Sequence, residues 1–124
     1  MDAFGHINNA RYLTYFEEAR IKFLDDVIDW KYGRSTVGII LARAEVDFRY
    51  PAHFKDKVLI YTHCDHIGTK SFVLEYRMIK REGNGDTVLA EARTVIVMYD
   101  YEKKSSIEIP DSWKAAFKKY GSSG

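Results

Sequence analysis

Apolar residues recur at three- and four-residue steps from Asn8 or Asn9 to about Ile28. Tyr12, Tyr15, Phe16, Ala19, Phe23 and Val27 form one stripe, while Glu17, Glu18, Arg20, Lys22 and Asp25 can take the other side. That period predicts an amphipathic helix. Asn8 or Asn9 is its expected N-cap, because a short amide accepts from the unpaired N–H groups of a first turn. A helix of that length spans about 30 Å and is the longest element the chain offers.

Tyr32-Gly33-Arg34-Ser35 breaks the pattern, and the period then falls from 3.6 to 2. Val46, Phe48 and Tyr50 alternate with charged residues up to Pro51, as a strand does. A second strand is expected from about Val58 to His66, with a turn at Gly68. In a third, from near Ser71, Phe72, Leu74, Tyr76 and Met78 face opposite to Glu75 and Arg77. Gly83 to Asp86 is rich in residues that tolerate hairpin geometry. A fourth strand, from Thr87 to about Tyr101, puts Val88, Ala90, Ala92, Ile96 and Met98 on one face, and the alanines leave room for a helix to lie close. From Ile109 a short helix starts at Pro110 or Asp111, with Trp113, Phe117 and Tyr120 as its apolar stripe. The last four residues, 121–124, read as a flexible tail. A long helix followed by antiparallel strands is an α+β layout.

At 124 residues the chain fits a single domain, 1–124, and the 46% hydrophobic content supports a core rather than disorder. Nineteen basic and eighteen acidic residues leave a formal charge of +1, without the basic excess expected of a nucleic-acid binder. A lone cysteine, Cys64, excludes an internal disulfide and suits a reducing compartment. No apolar run reaches the ~20 residues needed to cross a bilayer, and no secretory leader is evident. The expectation is a cytoplasmic protein without nucleic-acid or membrane partners.

The richest chemistry lies in Asp2-Ala3-Phe4-Gly5-His6-Ile7-Asn8-Asn9, which runs straight into the first helix. A carboxylate, an imidazole and two carboxamides precede a helix N-terminus, whose free N–H groups suit developing negative charge. On residue types alone, a polar run of this kind is more often only a loop and a cap. The spacing Asp2-x-x-Gly5-His6-Ile7-Asn8-Asn9-x-x-Tyr12-x-x-Tyr15-Phe16-Glu17-x-Ala19-Arg20 resembles the opening motif of the 4-hydroxybenzoyl-CoA thioesterase-like branch of the hotdog superfamily. Val46-Asp47-Phe48-Arg49-Tyr50-Pro51-Ala52 and Ile67-Gly68-Thr69-Lys70-Ser71-Phe72 are similar to later segments of the same family. The likeness covers roughly residues 2 to 100.

The resemblance implies a hotdog fold in which one long central helix is wrapped by an antiparallel sheet. It also implies a homodimer or a homotetramer built as a dimer of dimers, with active sites between subunits. The implied reaction is hydrolysis of an acyl-CoA, with no metal and no cofactor, CoA being part of the substrate. Carried over by position, Asp2 is the nucleophile or general base, and the Asn9 backbone N–H polarises the thioester carbonyl. His6, Asn8 and Gly5 shape the surroundings of the thioester. Tyr12, Tyr15 and Phe16 line the acyl pocket or pack the core. Family members carry a strand before the aspartate, whereas only Met1 precedes Asp2 here, so the first strand is expected to be lacking or truncated and the natural product to begin several residues earlier.

Lys70 and Ser71, with Lys80 and Arg81, are candidates for the CoA phosphates, as a point charge and a hydroxyl donor. Lys103-Lys104 and Lys118-Lys119 read as solvated surface. His63-Cys64-Asp65-His66 does not make a metal site on one strand, because alternate residues point to opposite faces. Cys64 reads as a small buried residue rather than a nucleophile. A non-catalytic acyl-CoA-binding module stays open, whereas a hotdog dehydratase would carry its acid on the helix itself, and the acid-before-helix motif argues against it.

Overall fold

A computed structural model of the chain describes residues 9–28, 37–53, 55–83 and 85–121. Helix α1 (Asn9–Ile28) is followed by strands β1 (Val37–Phe48), β2 (Val58–Ile67), β3 (Ser71–Glu82) and β4 (Gly85–Asp100). A two-residue strand, β5 (Ser105–Ser106), and helix α2 (Asp111–Gly121) complete the order. All strand pairs are antiparallel, in the order β1-β4-β3-β2, with β5 pairing to β4. The middle of the sheet is therefore β4 and β3, and β1 and β2 are its edges.

The architecture is α+β and hotdog-like, with one correction. The single long central helix expected above is replaced by two helices. The 11-residue α2 packs against both β2 and α1. Aromatic packing explains why α2 belongs to the helical layer. Phe117 stacks on Phe23 of α1 at 6.2 Å and tilts onto Phe72 of β3 at 4.8 Å, and it is almost fully buried. Full burial of such a side chain stabilises by about 1.5–3 kcal/mol. The Pro110 carbonyl accepts from Trp113 N and Lys114 N to start this helix. Tyr120, expected on its apolar stripe, is instead exposed, with Lys119 Nζ over its ring.

Inner-face alternation holds along β3, where Phe72, Leu74, Tyr76 and Met78 are all buried. In β4 it fails at one point. Met78 pairs with Ala90 and Ile79 with Val88, so Leu89 is an extra residue. This bulge turns Leu89 inward to full burial, and Val88, expected on that face, is only half-buried. The Leu89 carbonyl accepts from both Arg49 N and Tyr50 N, which ends β1 at Phe48 rather than Pro51. At its other end β1 begins at Val37, and a bulge at Ala42 hides its alternation.

The hairpin from β3 to β4 pairs Glu82 with Gly85, whose φ of 135° is accessible only to glycine. Asp100 Oδ1 accepts from Glu102 N and Lys103 N, folding the turn that leads to β5. Among the described residues, no helix is long and apolar enough to cross a membrane. The expected break at residues 32–35 and the end of the tail at 122–124 lie outside the described residues.

Candidate functional site

The start of α1 is where the expected site can be built. Asp2, Gly5, His6 and Asn8 lie outside the described residues, and α1 begins at Asn9. The backbone N–H groups of its first turn have no acceptor within the helix, and they carry the positive end of the helix dipole. No acidic residue occupies that turn.

Tyr12 fixes this helix end to the sheet. Its phenol oxygen accepts from Ala52 N at 2.6 Å and donates to the Tyr50 carbonyl at 3.3 Å. Its ring packs on Phe48 at 5.4 Å. Burial pushes the phenol pKa up, and the Ala52 hydrogen bond opposes that shift. Phe16, one turn on, is buried edge-on to Tyr76 at 5.5 Å. Tyr15 is different. It is half-buried and lines a groove of about 410 Å³ between α1 and β2, with Ala19, Phe23, Val58 and Ile60 as the apolar lining. Glu18 and the exposed Lys22–Asp26 ion pair rim it.

Lys70 and Ser71 lie elsewhere. Lys70 is exposed in the turn between β2 and β3, its carbonyl accepting from Met98 N at 3.0 Å. Ser71 opens β3 opposite Val97, which itself pairs with Ile40. Tyr12 sits over Phe48, eight residues further along β1, or about 27 Å at the rise of an extended strand. One protomer thus does not bring Lys70 and Ser71 to the α1 start. Lys80 is held between Asp56 and Glu82, and Arg81 pairs with Asp86.

Sequence periodicity put Arg20 on the polar side of α1, and the structure moves it. Arg20 is half-buried, and its Nη1 donates to Tyr76 Oη at 3.2 Å. The Tyr76 hydroxyl in turn shares a 2.8 Å hydrogen bond with Thr94 Oγ1, which is buried. The signal was present: Tyr12, Phe16 and Arg20 follow at four-residue steps, along the row that faces the sheet.

His63, Asp65 and Glu75 bring donor atoms within 4.8 Å of one another on the outer face. Arg93 Nη1 donates to both carboxylates at 3.1 Å, so their charge is met by a guanidinium. A bulge at Asp65 turns His66 outward, so it does not share the inner face with Cys64 as simple alternation required. Burial raises the Cys64 thiol pKa to about 11, which keeps it protonated at neutral pH and unsuited to nucleophilic attack.

Compared with known proteins, residues 1–117 match the family model described as the Thioesterase-like superfamily. The long-chain acyl-CoA thioesterase FadM of Escherichia coli is 28% identical over 111 residues, covering 88% of this chain and 82% of FadM. The acyl-CoA thioester hydrolase YbgC of Escherichia coli is 27% identical over 119 residues, covering 94% and 87%. Among solved structures, BH1999 gentisyl-coenzyme A thioesterase superposes with a TM-score of 0.81 at 27% identity, over 94% of this chain and 90% of that one. The PA5185 protein of Pseudomonas aeruginosa, at 20% identity and a TM-score of 0.85 over 99% and 85% of the chains, shares the fold.

Proposed function

The chain belongs to the Thioesterase-like superfamily, and from that premise we propose that it hydrolyses an acyl-CoA to a free carboxylic acid and CoA. The observation that carries the reading is the family match itself, which spans residues 1–117. In the proposed reaction, Asp2 takes a proton from water as the oxygen adds to the thioester carbon. The alternative is direct attack by Asp2 to form an anhydride, which water then opens. In both, the carbonyl oxygen becomes an oxyanion, and the Asn9 backbone N–H at the α1 start stabilises it. Collapse of the tetrahedral species breaks the C–S bond, and the departing thiolate is protonated to free CoA. His6, Asn8 and Gly5 orient the thioester at the α1 start. The chemistry uses no metal and no separate cofactor.

The proposed assembly is a homodimer or homotetramer in the cytoplasm. Its support is the edge strand β1, twelve residues long, with Ile40, Leu41 and Phe48 exposed. Among the described residues β1 has a pairing partner on one side only, and an apolar edge of that length invites a second strand. Antiparallel pairing of two β1 strands about a two-fold axis reverses the ends of the sheet. The second copy's Lys70 and Ser71 then lie at the same end as this copy's α1 start, where they serve the CoA phosphates. The test is a panel of acyl-CoAs incubated with the full-length protein and a thiol reagent. Thiol release proportional to enzyme supports hydrolysis. Saturable binding without release supports the non-catalytic module instead.

A further inference from the structure

Coverage of the inner sheet face is uneven. By register, Leu41, Ala44 and Phe48 of β1 share a face with Ile96, Thr94 and Ala90 of β4. The three β4 residues are buried, whereas Leu41, Ala44 and Phe48 are exposed, at 47% for Leu41 and 42% for Phe48. Among the described residues, the Tyr12 ring meets Phe48 at one end of this strip, and Leu41 and Ala44 stay exposed. The result is an apolar shelf beside α1.

Arg20 stands at the border of the shelf. Its hydrogen bond to Tyr76, and that of Tyr76 to Thr94, hold the guanidinium beside the residue that pairs with Ala44. Among the described residues, no carboxylate forms an ion pair with it. A guanidinium has five N–H donors in a planar fork that matches a carboxylate, and one donor here is used on Tyr76. Holding a cation half out of water with no counter-charge is unfavourable, so the arrangement favours an anion that arrives on an apolar tether.

We propose that the β1 shelf is the floor of the acyl compartment and that Arg20 anchors a carboxylate at the far end of the acyl group. This rests on the thioesterase reading above and narrows its substrate class to CoA monothioesters of dicarboxylic acids. Arg20 lies eleven residues beyond Asn9, roughly 16 Å along the helix axis, and its side chain leans back towards the helix start. That spacing, at ordinary carbon–carbon bond lengths, fits an extended acyl chain of about ten carbons. A second copy paired along β1 leaves the shelf as the floor of a cavity shared between the two.

The test compares two CoA thioesters of ten carbons, the decanedioyl monothioester and the decanoyl thioester, on wild type, Arg20→Met and Arg20→Lys. Circular dichroism and melting curves verify that each variant is folded. The expected result is that wild type prefers the decanedioyl substrate by about tenfold in kcat/KM, the scale of one charge-assisted pair. Arg20→Met abolishes that preference and leaves decanoyl turnover within about threefold, and Arg20→Lys keeps part of it. Equal loss on both substrates would assign Arg20 a structural role and overturn the proposal, as would the absence of a preference in wild type. If wild type releases thiol from neither thioester nor from any acyl-CoA of the panel, the thioesterase reading fails. Calorimetric binding of free decanedioate against decanoate then decides the anchor alone, and equal affinities would overturn it.

Discussion

Replacing Tyr12 with Phe removes one oxygen from a buried clamp and leaves the ring. The ring keeps its contact with Phe48, so the perturbation falls on the two hydrogen bonds to Ala52 N and the Tyr50 carbonyl. Ala52 is fully buried, and its N–H then lacks an acceptor. A buried donor stripped of its partner costs about 1–3 kcal/mol. At about 2.1 cal/mol/K of unfolding entropy per residue, the 124 residues correspond to about 0.26 kcal/mol/K, so Tm falls by about 4–12 °C. Differential scanning calorimetry at pH 7 measures this. The phenol pKa is raised by burial, so its stabilisation is complete below the ordinary value near 10 and is lost as pH climbs above it. Wild type and Tyr12→Phe therefore converge in stability on the alkaline side. A Tm within about 1 °C of wild type at pH 7 would refute the reasoning, because the clamp would then carry no load at the helix start.

Two further outcomes follow from the packing. Phe117→Ala opens a cavity between Phe23 and Phe72 and should destabilise by about 3–5 kcal/mol, read by urea unfolding; a loss below about 1 kcal/mol would mean α2 is not part of the core. Cys64 should resist Ellman's reagent at pH 8 in the folded protein and react stoichiometrically in denaturant. Its raised pKa of about 11 makes its contribution to stability full below the unfolded value near 9 and lost as pH rises from there towards 11. Fast labelling of the native protein at pH 8 would contradict that burial.

Local periodicity made most of the elements legible, because helix and strand periods are set by nearest neighbours. The α1 stripe, the inner face of β3 and the short helix beginning at Asp111 all follow from it. What escaped depends on non-local pairing. Leu89 comes to the core only because one extra residue in β4 faces β3, and no residue type announces that bulge. β1 starts at Val37 because Val37-Gly38-Ile39-Ile40-Leu41 pairs with the far end of β4, although the run has no alternation of its own. α2 joins the helical layer through ring contacts of Phe117 with Phe23 and Phe72, far away in the chain, which periodicity within α2 cannot reveal.

Of the site, the sequence made the start of α1 readable, because a helical period is contiguous, and the acid-bearing segment before it lies outside the described residues. The relation of Lys70 and Ser71 to that start was not readable, since it depends on which end of the sheet each occupies. Arg20 was assigned to solvent because charged residues usually go there. Its place against Tyr76 and Thr94 depends on a strand more than fifty residues later.

Thiol release from an acyl-CoA by wild type and by Asp2→Asn, at matched concentration and equal Tm, tests the central claim most directly. The account predicts that the carboxamide variant keeps its fold and its affinity for acyl-CoA but loses turnover by about 10²–10⁴-fold, the scale of a removed general base or nucleophile. Turnover within about threefold of wild type would contradict it.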